Sequence, residues 1–538
     1  MVKILTLKNR QDFVRAAKGV KVVCSSLIIQ AALSLSKKDA LKMMKGFEER
    51  YKVEQINLSN EENFLFDKHG GFIDISAGVV FASTGRAKHF RVNKICGAYY
   101  KNDKNNKMLT RISVVAYDKR SQIDEYFNNL KESESNSHIK LGKKLGFYAS
   151  SVSVGKALPI ILNKGQYVIR KLTKTIENDL EKQGYNFIET PIFAKPSFYK
   201  KSMQNDRVKD KLYSIETGKK DNEIFALRDS CMAFHYETYS LVPKSYKELP
   251  VRFFESGTIV KKLDSGTLKG LVKLRQYTSF ESTVFCSDKD AKSEILKSLD
   301  SVLYFMKCLG LSDDISVVLG IRGNRENSKY VGSTTEWLKD ENVLRDVLSK
   351  KAIKFSEKVG ECGYFAPSIN ILLKNSFRKD DKIFSISLDT RLTKLLKLKY
   401  TNKDGKLLTP ASLRVVLEGG YEKLLAYLIE KNKGEMPLWL SPTQISIISV
   451  NKNNVSKVKE LNELFLSEGF KSVVDVRNIT VSKKIRETQT QKIPYTVIVG
   501  ENESQEYLTY REFQVSKTKT IKIEDFISKL NEKLKNKE

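Results

Sequence analysis

The sequence predicts an α+β protein in which an antiparallel sheet backed by helices is preceded by a smaller α+β region and followed by an α/β one. Three stretches carry that prediction. GQYVIRKLTKTIENDLEKQGY, from residue 165, has apolar residues at helical spacing and closes on Gly184, and NFIETPIF after it reads as a strand interrupted by Pro191. Residues 225–286 alternate apolar and polar residues between turn signals, the pattern of hairpins. From LSPTQISIISV (440–450) onward, strand-like and helix-like segments alternate: a helix near 454–468, SVVDVRN, KKIRETQTQ, IPYTVIVG and a closing helix.

Earlier in the chain, residues 1–35 alternate basic and apolar positions and read as a basic segment standing apart. SKKDALKMMKGFEERY (36–51) opens a helix behind a serine, and GGFIDISAGVVFAS (70–83) reads as strand and turn. The polar run DKRSQIDEYFNNLKESESNSH reads as an exposed helix running into a linker. The expected divisions are therefore 1–35, 36–138, 139–438 and 439–538.

With 41% hydrophobic and 10% aromatic residues, the chain has enough apolar surface to fold. Lys and Arg number 94 against 64 Asp and Glu, a formal charge of +30, which suits a polyanionic partner, RNA first. Six scattered cysteines with no C-x-x-C pair argue against a disulfide framework or a cysteine-rich zinc knuckle. No run of 18 apolar residues occurs, and VVCSSLIIQAALSL (22–35) lacks a following cleavage signature, so neither a membrane span nor secretion is expected. The first 38 residues are basic and poor in acids, which keeps an organellar transit peptide open. A bacterial cytoplasm or a mitochondrial matrix is the expected location.

From about residue 36 to the end, the chain resembles the threonyl-tRNA synthetases, a family of class II aminoacyl-tRNA synthetases. YKVEQINLS and GGFIDISAGVVFASTGRAKHFRVNKICGAYYKNDKNNKMLTRI resemble the family's second N-terminal, editing-type domain, and HIKLGKKLGFY its link into the catalytic domain. The helix from 165 to 184 with TPIF resembles motif 1, the dimer element. RFFESGTIVKKLDSGTLKGLVKLRQYTSFESTVFC resembles motif 2, LEGGYEKLLAYLIE motif 3, and PLWLSPTQISII through IPYTVIVGENES the anticodon-binding domain. The resemblance implies threonyl-adenylate as intermediate, tRNA as partner and a homodimer through motif 1; ATP and Mg are expected only if the chain is active, and otherwise no cofactor is expected.

The resemblance also places the site residues, and many differ in type. The motif 2 arginines that grip ATP fall on Lys261 and Lys273, and the motif 3 arginine falls on Lys423. Lysine keeps the charge but loses the planar fork that binds phosphate bidentately, and each charge-assisted hydrogen bond is worth about 1.5–3 kcal/mol. Glu255, Arg275 and Asp389 are retained, and Arg275 is expected to pair with a carboxylate of the core if no ATP arrives. Glu281 follows Ser279 and Phe280 where the family has Q-D-D, and Ser387 and Phe365 stand for its Gln and Tyr. The family's zinc ligands fall on Met232, Thr283 and Arg414, so zinc is not expected. Cys231 and His235, at i, i+4, are the candidates left for a metal, with no third ligand apparent. Editing residues fall on Ser76 and Val80, which argues against a proofreading hydrolase.

In the C-terminal region Arg477, Asn478, Arg486 and Glu503 keep family-like types for reading single-stranded bases. LKNRQDFVRAAKGVKVVCSSLIIQAA (7–32) resembles instead the opening of bacterial ribonuclease P protein, with a basic RNA-contacting tail as the plain alternative. Two functional readings follow. One is a pseudoenzyme that binds tRNA, or ribosomal RNA as a structural ribosomal protein. The other is a divergent threonine–tRNA ligase.

Overall fold

The computed structural model describes residues 2–5, 30–69, 72–76, 89–103, 105–200, 211–218, 223–323, 330–376, 379–500 and 506–537. The chain divides into two compact units, Met1–Glu132 and Ser133–Glu538.

In the first unit, strand Met108–Tyr117 pairs antiparallel with His89–Tyr99 and with Val2–Leu5. A second sheet joins Gln30–Ser36, Asn63–His69 and Phe72–Ile75. Helices Lys37–Gly46 and Arg50–Leu58 bury Ala40, Met44 and Ile56 with Phe64 and Phe66 of that sheet. The first helix begins where the sequence predicts, because the Ser36 hydroxyl accepts a hydrogen bond from the Asp39 amide and satisfies one of the free N–H groups of the first turn. Of the segment 1–35, the described residues 2–5 and 30–35 do not stand apart: they belong to strands of the two sheets, and their alternation has the strand period. Residues 7–29, which carry most of the ribonuclease P likeness, lie outside the described residues, as does Val80; Ser76 follows strand 72–75.

Helix Arg120–Ser135 forms as predicted, but no linker follows it. Helix His138–Lys144 starts almost at once, and His138 is buried.

The second unit is built on an eight-stranded, largely antiparallel sheet. Its spatial order is Phe355–Val359, Ile315–Ile321, Ser368–Lys374, Asp380–Asp389, Ala411–Leu417, Gln276–Cys286, Val251–Val260 and Asn186–Phe187. One face packs under helices Asn163–Lys182, Ala291–Cys308, Thr334–Lys350 and Gly420–Lys431, where Phe254, Phe280, Phe384, Ile386, Leu413 and Val415 join one apolar core. Each such large side chain contributes about 1.5–3 kcal/mol by leaving water. Because strand side chains alternate, the neighbours of these residues point to the opposite face, and that face carries the polar groups described below. NFIETPIF forms two short strands rather than one interrupted strand: Asn186–Phe187 joins the large sheet, whereas Phe193–Ala194 pairs with Ile224–Leu227 in a separate sheet.

The C-terminal region has the predicted strand and helix alternation up to Val499, with Ile445–Ser449 between parallel partners Ser472–Asp475 and Tyr495–Val499. Two antiparallel strands that the sequence reading did not separate out, Tyr507–Glu512 and Lys519–Lys522, then extend the sheet before the last helix, Ile523–Lys535. Among the described residues, no helix is long and apolar enough to cross a membrane.

Candidate functional site

The hairpin formed by 251–260 and 276–286 sets Glu255 directly opposite Glu281 on the polar face of the sheet. Like charges at directly opposed strand positions repel, and burial raises the cost. Both carboxylates are buried, and each has its own cation. Glu255 takes Arg228 Nη1 at 2.9 Å, with Thr190 donating its backbone N–H (3.2 Å) and its hydroxyl (2.7 Å). Burial pushes the Glu255 carboxyl up, but hydrogen bonds from His235 and Thr190 and the Arg228 charge outweigh it and hold the group at about 2. Glu281 accepts from the Ser230 hydroxyl (2.8 Å) and the Cys231 amide (3.0 Å), and Arg414 Nη2 lies 3.6 Å away. Residues 228–231 thus serve both carboxylates. Gly257 allows their close approach, since a Cβ there would stand 2.5 Å from Cys231 Sγ and 2.7 Å from Arg228 Nη2.

Helix Met232–Ser240 brings Cys231 and His235 together as their spacing predicts, and the fold adds Glu255, which sequence spacing could not supply. The three ligand atoms lie within 4.8 Å of one another. They do not fit a zinc ion. Among the described residues the cluster offers three donors, and burial, with Glu281 and Glu255 close by, pushes the Cys231 thiol up. Glu255 is already held by a guanidinium that would repel a second cation. His235 Nδ1 is bonded to the Thr283 hydroxyl at 2.9 Å, and Nε2 faces Glu255 Oε2 across 3.5 Å. At the positions matching the family's ligands, Arg414 lies in cross-strand register with Thr283 on one side and Ser387 on the other, so a fixed cationic side chain stands beside Thr283.

The three lysines that the resemblance aligns with the family's arginines, Lys261, Lys273 and Lys423, lie in different environments. Lys261 leaves the end of its strand, its N–H bonded to Arg275 O at 2.8 Å and its Nζ 3.7 Å from Asp229, in a half-exposed pair of small energetic weight. Lys273 is exposed. Lys423, by contrast, is buried in the first turn of helix Gly420–Lys431 and donates to the Lys382 carbonyl at 2.6 Å. Burial depresses its pKa, against the attraction of Asp381 and Glu418. Arg275 does not find the expected carboxylate: its buried Nε makes no hydrogen bond, and no ion pair reaches it among the described residues. Asp389 is buried and accepts from the Arg391 and Leu392 amides.

Two groups that sequence reasoning missed hold this region. Glu422 accepts from the Thr278 amide through both oxygens, at 3.1 and 3.0 Å, and burial raises its pKa to about 7. His138 ties motif 2 to motif 3, since Nε2 accepts from the Leu271 amide at 3.1 Å while Nδ1 lies 2.6 Å from Glu430 Oε1. The tautomer follows: an acceptor Nε2 leaves the proton on Nδ1.

In the C-terminal region Asn478 and Arg486 are exposed, and Glu503 lies outside the described residues. Arg477 is exposed but is held by Asp475 at 2.6 Å and by Glu487. Buried Lys484, also missed, donates to Ser449 O at 2.8 Å and to Asp475 O at 3.2 Å.

A largely antiparallel sheet carrying this hairpin, followed by a strand and a buried helix at 411–431, defines the chain as a class II tRNA synthetase in architecture. Residues 213–432 match the tRNA synthetase class II core domain (G, H, P, S and T), and residues 444–533 match the anticodon binding domain. The chain belongs to the threonine–tRNA ligase family. It is 32% identical over 506 residues to the threonine–tRNA ligase of Clostridium perfringens, covering 94% of this chain and 78% of that one. To the enzyme of Clostridium botulinum it is 31% identical over 532 residues, 98% of this chain and 82% of the relative. A crystal structure of the RNA binding domain of threonyl-tRNA synthetase from Cryptosporidium parvum shares the fold, with a TM-score of 0.68 at 23% identity over 74% of this chain and 98% of that one.

Proposed function

We propose that this chain is a tRNA-binding member of its family that has lost threonine activation. The observation that carries the reading is Arg414: a guanidinium paired with Glu281 and bonded to Ser230 at 3.2 Å stands where the family resemblance places a zinc ligand. Lys423, turned onto a backbone carbonyl, supports it, because a phosphate would have to displace that bond. The exposed Asn478 and Arg486 remain placed to meet single-stranded bases, while phosphate contact by the basic surface adds affinity without sequence information. Ribosomal RNA is the alternative polyanion, and Phe187, 46% exposed beyond helix 163–182, offers an apolar contact for a homodimer.

A second reading, a divergent threonine–tRNA ligase using ATP and Mg, is favoured by the extent of identity to ligases and by Arg275, whose buried Nε has no hydrogen-bond partner among the described residues. Such an enzyme joins threonine to ATP, releasing pyrophosphate, and passes the acyl group to tRNA. Threonine-dependent ATP–pyrophosphate exchange decides between the two. No exchange beside retained binding of a tRNA transcript is the expected result; robust exchange overturns the first reading. Binding of ribosomal RNA in preference to tRNA would redirect it.

A further inference from the structure

A cluster of lysines outside the site lies where helix Asn163–Lys182 meets the C-terminal region. Exposed Lys171 and Lys174 stand one helical turn apart, and exposed Lys471, just before the edge strand Ser472–Asp475, lies close enough to Lys171 to disfavour its charge. Two turns earlier on the helix, Lys164 reaches Gln491 at 2.7 Å, and the adjacent Lys492 sits among Lys144 and Lys433, with Glu435 as the carboxylate acting on it. Burial, together with repulsion from these neighbours, depresses the pKa of both Lys171 and Lys492.

Like charges gathered on one surface cost free energy in the free protein, and a polyanion repays that cost on binding. Lys164 to Lys174 span about 15 Å of helix. That length matches several consecutive phosphates, spaced about 3.4 Å per strand along a duplex axis. The partner chemistry is therefore a phosphodiester backbone rather than a single anion. The two rings of the patch, Tyr167 beneath Lys171 Nζ at 5.6 Å and Phe513 beneath Lys492 Nζ at 5.1 Å, are each covered by a lysine, so the patch is suited to position a strand rather than to read bases.

We infer that the seam formed by Lys164, Lys171, Lys174, Lys471 and Lys492 is an RNA-backbone track that continues the base-reading surface of the C-terminal region onto the class II core. The inference rests on the RNA-binding reading above and is separable from it by experiment. Binding of a fluorescent tRNA transcript is measured from 50 to 300 mM salt for wild type, for Lys171→Glu/Lys174→Glu/Lys471→Glu, and for Lys289→Glu/Lys307→Glu/Lys350→Glu, which makes the same charge change on exposed lysines elsewhere. The track predicts affinity about ten- to a hundredfold weaker for the first triple variant, with a salt slope smaller by about 2–3, and little change for the second. Equal weakening in both overturns the track in favour of a diffuse field, and no weakening in the first also overturns it while RNA binding stands. Failure of the wild type to bind overturns the functional reading itself. The Lys→Gln triple keeps the test valid if the glutamates disturb folding, since loss of charge alone must lower the salt slope.

Discussion

Replacing Glu255 by Gln keeps the size of the side chain and removes one buried charge, which isolates what the Arg228 pair contributes. Arg228 is 2% exposed and Glu255 3%. In Glu255→Gln the guanidinium keeps its bonds to Thr258 O (2.8 Å) and Thr190 O (3.1 Å) but has lost the carboxylate at 2.9 Å. Stranding one buried member of an ion pair costs about 3–5 kcal/mol. The carboxyl is held at about 2 against its ordinary 4.5 by His235 and Thr190 as well as by Arg228, so the charge removed is one that the fold stabilises. Urea unfolding at pH 7, followed by tryptophan fluorescence, measures the loss in the right place: Trp337 and Trp439 are both buried in the Ser133–Glu538 unit, and the chain has no other tryptophan. Adding Arg228→Met should recover most of the loss by removing the stranded cation. A single variant within about 1 kcal/mol of wild type, or a double variant no better than the single, refutes the reasoning.

Four further outcomes are expected. Glu422 binds its proton more tightly when folded, so its contribution is intact below pH 4.5 and is lost as pH rises towards 7; urea midpoints should fall by about 3 kcal/mol equivalent over that window and flatten in Glu422→Gln. Glu255 acts in the opposite direction, its stabilisation disappearing as pH falls from 4.5 towards 2. His138→Ala leaves the Leu271 amide buried and unpaired, a cost of about 1–3 kcal/mol, and trypsin should cut faster at Lys269 and Lys273; His138→Gln, which can still accept and donate, should restore protection, and unchanged cleavage in the alanine variant would disprove the latch. Elemental analysis of the purified chain should find no stoichiometric zinc, and a full equivalent that vanishes in Cys231→Ser would show that Glu255 serves a metal after all.

Local periodicity made most elements legible. Ser36 marks its helix start because a hydroxyl can meet free N–H groups, Gly184 ends helix 163–182 at a φ of 73°, and alternation in FFESGTIV separates core-facing Phe254 from site-facing Glu255. The Cys231 and His235 spacing foretold that the two would meet. Where the reading missed, the cause was distance along the chain. NFIETPIF was divided between two sheets by partners at 226–227 and 253–254, and the last two strands of the C-terminal sheet carry too short a signal to separate from loop. His138 looked like part of a connection because both of its partners, Leu271 and Glu430, lie more than a hundred residues away.

Residue type and spacing by themselves determined the α+β class and the polar and apolar faces of the hairpin formed by 251–260 and 276–286. Those properties are set by side-chain chemistry and by short-range backbone geometry. The tertiary structure alone decided how each site residue is used: Arg414 as the counter-charge of Glu281, Glu255 closed off by Arg228, Lys423 turned into the sheet, Arg275 with no ion pair among the described residues. A buried charge takes its character from whatever the fold places within a few ångströms of it, and those neighbours come from strands and helices that no local pattern connects.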